Sequence, residues 1–100
     1  MEEKEIREKL KDLYYKEFGD MPEIKEIAGG GSPRKYFRLT GEEGRSVVGV
    51  YGEDIEENRV FIRLTKVFRK TGINVPEIIA KTPGEEFYLE EDLGDRSLFG

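Results

Sequence analysis

The chain contains no cysteine and no histidine. Without cysteine there is no disulfide, no thiolate metal site and no sulfur nucleophile. Without histidine the commonest general base and metal ligand near neutral pH is missing. No apolar run approaches the ~20 residues that cross a bilayer. The opening Met1-Glu2-Glu3-Lys4-Glu5 is too acidic and polar for a signal peptide. A cytoplasmic location is the expectation. Positive charge is also short, with 17 Lys plus Arg against 22 Asp plus Glu and a net charge of −5. That balance argues against a nucleic-acid partner, which a protein attracts through a positive field, and against a polybasic membrane anchor. Glutamine is absent while Glu and Lys abound, a composition seen in thermophiles.

What is present bounds the fold. At 100 residues, 36% of them hydrophobic, the chain is one domain with one modest core. Glu2 to Phe18 places Ile6, Leu10, Leu13 and Tyr14 on one stripe of a helix that Gly19 ends. Glu23 to Ala28 alternates as a first strand. Gly29-Gly30-Gly31-Ser32-Pro33 then breaks the chain. From Arg34 to Thr40, Lys35, Phe37 and Leu39 share one face of a strand, and Arg34, Tyr36 and Arg38 the other. Gly41 to Gly44 is a turn, and the valine-rich Arg45 to Tyr51 reads as a more buried strand.

Asp54 is placed to cap a second helix that runs to about Thr71. Its apolar arc comprises Val60, Phe61, Leu64, Val67 and Phe68, and Glu57 falls inside that arc. Strands follow over Glu77 to Thr82 and from Phe87 into Glu90-Glu91-Asp92, separated by the turn Pro83-Gly84-Glu85. The order is helix, three strands, helix, two strands, which predicts an α+β fold with an antiparallel sheet.

Five pieces of the text, in order, carry a resemblance. They are Gly31-Ser32-Pro33-Arg34-Lys35-Tyr36-Phe37-Arg38-Leu39, Ser46-Val47-Val48-Gly49-Val50-Tyr51, Glu56-Glu57-Asn58-Arg59-Val60-Phe61, Val75-Pro76-Glu77-Ile78 and Leu89-Glu90-Glu91-Asp92-Leu93-Gly94-Asp95-Arg96. Together they resemble the N-terminal lobe of the aminoglycoside phosphotransferase branch of the protein-kinase-like family. The nearest likeness is to bacterial kinases of N-acetylmuramate and N-acetylglucosamine. The resemblance implies a small lobe with a five-stranded antiparallel sheet, an N-terminal helix over residues 1–22 and a C-type helix. The lobe itself would span 23–93, and 94–100 would begin the link to a large lobe.

The same resemblance implies ATP as ligand, Mg²⁺ as cofactor and a sugar-type acceptor in the parent enzyme. Gly30, Gly31 and Ser32 would let backbone N–H groups approach phosphate oxygens. The other reading of these residues is a flexible hairpin turn. Glu57 would pair with a phosphate-holding lysine of the third strand. Its spacing from Asp54 equally fits a capping box. No lysine occurs on that strand, and Gly49 occupies the aligned position. Arg38 and Lys35 are then the candidate cations. Glu90 and Asp92 would present backbone groups to adenine at the hinge.

The His-x-Asp loop and magnesium acids of such enzymes belong to the large lobe, so the chain by itself is expected to be non-catalytic, a fragment of a phosphotransferase. Leu89, Leu93, Leu98 and Phe99 would form an apolar edge through which the fragment self-associates. The competing expectation is a non-catalytic α+β interaction module of the same shape.

Overall fold

The structure is a computed structural model that describes residues 2–27, 34–73 and 75–92. Its elements run α1 (Glu3–Phe18), β1 (Glu23–Ile27), β2 (Lys35–Thr40), β3 (Ser46–Tyr51), α2 (Ile55–Lys70), β4 (Ile78–Lys81) and β5 (Phe87–Glu91). The expected α+β class is what is found. The sheet is five-stranded in the order β1-β2-β3-β5-β4, and every neighbouring pair is antiparallel.

Helix α1 forms because its apolar residues recur on one stripe. Acids occupy its first turn and Lys16 its last, as the helix dipole favours. Gly19 stops it in the left-handed region, with φ 85°, and donates its N–H to the Tyr15 carbonyl at 2.8 Å. Ile6, Leu10, Leu13 and Tyr14 bury against Phe37, Leu39, Val47, Tyr51, Phe87 and Leu89. This is the main core, and it occupies one face of the sheet.

Close approach between α1 and the sheet requires Gly49. A Cβ there would sit 2.7 Å from Leu39 Cδ1 and 3.1 Å from Leu10 Cδ2. Gly49 therefore faces α1. The third-strand positions that alternate onto the opposite face are Val48 and Val50.

Helix α2 covers part of that opposite face, where Val50, Ile62 and Tyr88 are buried with Tyr36, Val48, Phe61 and Ile78 packed around them. Asp54 caps α2 by accepting the Glu57 N–H at 3.0 Å. The rotation of α2 differs from the expected one. Its buried residues are Asn58, Ile62 and Thr65, while Val60, Leu64, Val67 and Phe68 are exposed. Asn58 accounts for the rotation. Its side-chain amide donates to the carbonyls of Gly52 and Glu85, both at 3.0 Å. Withdrawing it would leave two carbonyls short of a donor, a cost of about 1–3 kcal/mol each if they stayed buried. That competes with the gain from burying one or two more aliphatic side chains.

The expected self-association edge is also altered. Leu89 is fully buried in the main core and cannot contribute to an exposed surface. Leu93, Leu98 and Phe99 lie outside the described residues.

Candidate functional site

The face of the sheet turned toward α2 gathers Arg38, Glu90 and Asp92 of the residues singled out from the sequence. Alternation places Tyr36 and Arg38 of β2, Ser46, Val48 and Val50 of β3, and Tyr88 and Glu90 of β5 on it. Arg34 precedes β2 and projects under the start of α2. Its guanidinium lies 4.9 Å from the centre of the Phe61 ring, and its Nη2 is 3.5 Å from Glu57 Oε1. The Arg34 side chain is only 9% exposed, whereas Glu57 opens to solvent.

Glu57 therefore serves in two ways at once. Its backbone N–H completes the Asp54 cap, and its carboxylate reaches Arg34. The cation that meets it comes from the residue before β2 and not from β3. Arg34 is not one of the candidate cations Arg38 and Lys35, yet two signals in the sequence mark it. It follows the glycine-rich segment directly, and it shares its strand face with Tyr36 and Arg38.

Arg38 pairs with another of the singled-out residues. Its Nε and Nη2 donate to the two carboxylate oxygens of Asp92, at 2.8 and 3.3 Å. The Ser46 hydroxyl donates to the same carboxylate. A two-point pair of this kind ties the end of β5 to β2 across β3. Arg38 and Asp92 are thus brought together, and the pairing fixes the chain where β5 ends. Lys35 lies on β2 beside Tyr51 in register. Gly30, Gly31 and Ser32 lie outside the described residues.

Glu90 is the least expected member. It is 4% exposed, and its Oε2 is buried with no hydrogen-bond partner among the described residues. Burial pushes its carboxyl up to about 7, and the nearby Arg34 guanidinium acts against that rise. The neighbouring Tyr88 hydroxyl is buried and likewise without a hydrogen bond among the described residues. Burial, and then the Glu90 charge, raise its phenol well above the ordinary range. The floor beneath α2 thus holds a shielded guanidinium, a carboxyl that is largely uncharged below neutrality and a neutral phenol. The partly desolvated positive charge of Arg34 on this floor is met by the Glu57 carboxylate at 3.5 Å, and that of Arg38 by Asp92.

Away from this face, a concavity of about 250 Å³ is lined by Tyr14, Phe18, Gly19, Asp20, Glu42, Glu43 and Arg45. Arg45 stacks 4.5 Å from the Phe18 ring, and Asp20 Oδ2 accepts the Glu42 N–H at 2.9 Å. Among the described residues no group of three or more His, Cys, Asp or Glu side chains could hold a metal ion, and no helix is long and apolar enough to cross a membrane. Compared with known proteins, the chain matches no protein-family model and no curated protein.

Proposed function

We propose that this chain is the nucleotide-binding small lobe of a small-molecule phosphotransferase, with a sugar or aminosugar as the parent enzyme's acceptor. The observation that carries the reading is the Arg34–Glu57 pair, at 3.5 Å, beneath the first turn of α2. An acid at the start of this helix, meeting a cation on the sheet face beside a glycine-rich turn, is the arrangement that steadies a phosphate-holding cation in kinase-type lobes. The strand order β1-β2-β3-β5-β4, with α2 inserted between β3 and β4, supports the same reading.

In this reading Arg34 holds triphosphate oxygens. Its guanidinium is planar, permanently charged and pre-set by Phe61 and Glu57. The glycines of 29–31 would let backbone N–H groups approach the same oxygens. The Arg38–Asp92 pair holds the end of β5 in place, where the base would read the backbone near Glu90 and Asp92. Magnesium would neutralise the phosphates in the complete enzyme. The described residues offer no acidic set that fits it, and its ligands and the group that orients the acceptor hydroxyl fall to the large lobe. The lobe's share is to bind and orient.

The test is a series of adenosine nucleotides carrying one, two and three phosphates, followed by fluorescence or calorimetry. Affinity is expected to rise with each phosphate. Arg34→Met should flatten that rise and weaken ATP by roughly tenfold to a hundredfold, the loss expected for a charge-assisted contact. Equal ATP affinity in Arg34→Met and wild type would remove the basis of the reading. The alternative, a non-catalytic interaction module, draws support from the exposed apolar stripe of α2.

A further inference from the structure

Helix α2 carries an apolar stripe that no other described element covers. Val60 is 52% exposed, Leu64 45%, Val67 49% and Phe68 38%. They recur at intervals of four, three and one, which is a single stripe of a helix. The stripe cannot turn inward, because the Asn58 amide holds the opposite side of α2 against the Gly52 and Glu85 carbonyls. Solvent-facing apolar residues aligned along two turns of one helix are the pattern of a contact surface, and scattered ones are not.

The charges on the same helix point to its occupant. Glu56 and Glu57 lie in its first turn, and Arg69 and Lys70 in its last. A helix acidic at one end and basic at the other is complementary to a reversed copy of itself. We propose that α2 is the interface of a two-fold dimer of this chain, with the stripe of one copy lying antiparallel on the stripe of the other.

A two-fold axis at Leu64 sets the pairing. Val60 then lies opposite the partner's Phe68, and Leu64 opposite its own counterpart. Along one flank Glu56 comes to about 3 Å in axial height from the partner's Lys70, within reach of the lysine side chain, and symmetry repeats that pair at the other end. Arg63 meets its own copy near the axis, a single like-charge contact between exposed side chains and therefore a small cost. A second copy is favoured over an unrelated acidic or basic partner because it matches both ends of α2 at once. Four half-exposed side chains per copy make a contact below the standard size, so the dimer is weak and concentration-dependent. The inference does not depend on the nucleotide reading.

The experiment is sedimentation equilibrium on the whole chain, up to roughly 0.5 mM, where weak contacts of this size register. A reversible monomer–dimer equilibrium is expected. Leu64→Glu should abolish it and leave the circular dichroism spectrum unchanged, since Leu64 belongs to neither core cluster of the described residues. Glu56→Lys and Lys70→Glu should each weaken the dimer roughly tenfold, as two attractive pairs become repulsive. The double variant Glu56→Lys/Lys70→Glu should return to within about threefold of wild type, because the swapped charges again face opposite signs. A wild type that stays monomeric over this range overturns the proposal, as does association that persists in Leu64→Glu. Single charge variants that leave the dimer unchanged overturn the antiparallel pairing, and so does a double variant no tighter than the singles.

Discussion

Glu90 offers a perturbation whose size and sign follow from its surroundings. In the unfolded chain its carboxyl ionises at the ordinary 4.5, and in the fold burial raises that to about 7, against the pull of Arg34. Between those two values the folded chain keeps a proton that the unfolded chain has released. Raising the pH through this window therefore lowers stability, the opposite of what salt-bridged carboxylates do. At about 1.4 kcal/mol for each tenfold change in proton affinity, the whole window is worth roughly 3 kcal/mol. Between about pH 5 and about pH 8 the share is near 2.5 kcal/mol.

Glu90→Gln keeps the shape of the side chain and removes the titration. Urea unfolding of both proteins at several pH values in this range isolates the effect, because every other carboxylate titrates alike in the two. The variant should gain on wild type steadily as pH rises, by roughly 2.5 kcal/mol at the alkaline end. Parallel stability curves would refute the reasoning. So would a wild type that gains on the variant with pH, since that would mean Arg34 outweighs burial and holds Glu90 ionised.

Three further substitutions, at two positions, test how the fold positions the site. Asn58→Ala removes the amide that serves the Gly52 and Glu85 carbonyls and should cost about 2–3 kcal/mol, read as a lower urea midpoint. Gly49→Val puts carbon where only 2.7 Å separates an added Cβ from Leu39, and should cost about 1–3 kcal/mol by pushing α1 off the sheet. A Gly49→Lys change would not restore a phosphate cation, because that position faces α1; unaltered ATP affinity in any folded Gly49→Lys protein is the expected result.

Most of the fold was legible because local signals agreed. The alternation of Phe37 and Leu39 against Tyr36 and Arg38 gave β2 its two faces, and Ile6, Leu10, Leu13 and Tyr14 gave α1 its buried stripe. Glycine and proline marked the turns. The rotation of α2 was not legible. A hydrophobic arc was expected to point inward, and a buried asparagine turned the helix by roughly a third of a turn instead. A polar residue that bridges two carbonyls distant in sequence leaves no periodic signal.

The site was legible in part. Glu57 was marked by its place on an apolar arc, and it does meet a cation. That cation, Arg34, lies outside the strand where a family pattern would look for it. Arg38 and Asp92 were each singled out, but their mutual pairing depends on the register of β2, β3 and β5, which no spacing within the sequence reveals. The burial of Glu90 depends on the same assembly. Its neighbours in sequence, Glu91 and Asp92, are ordinary in composition and gave no hint of it.

Nucleoside triphosphate binding by the sheet face beneath α2, as proposed above, has a direct test. Amide-resolved NMR during titration with ATP to about 10 mM tests it most directly, because this method registers even millimolar affinities. The expected result is a saturable set of shifts centred on Arg34, Tyr36, Val48, Glu57 and Glu90, with α1 and its face of the sheet unmoved. Shifts that never rise above those from equal ionic strength, or that map to α1 or the Asp20–Arg45 concavity, would contradict it.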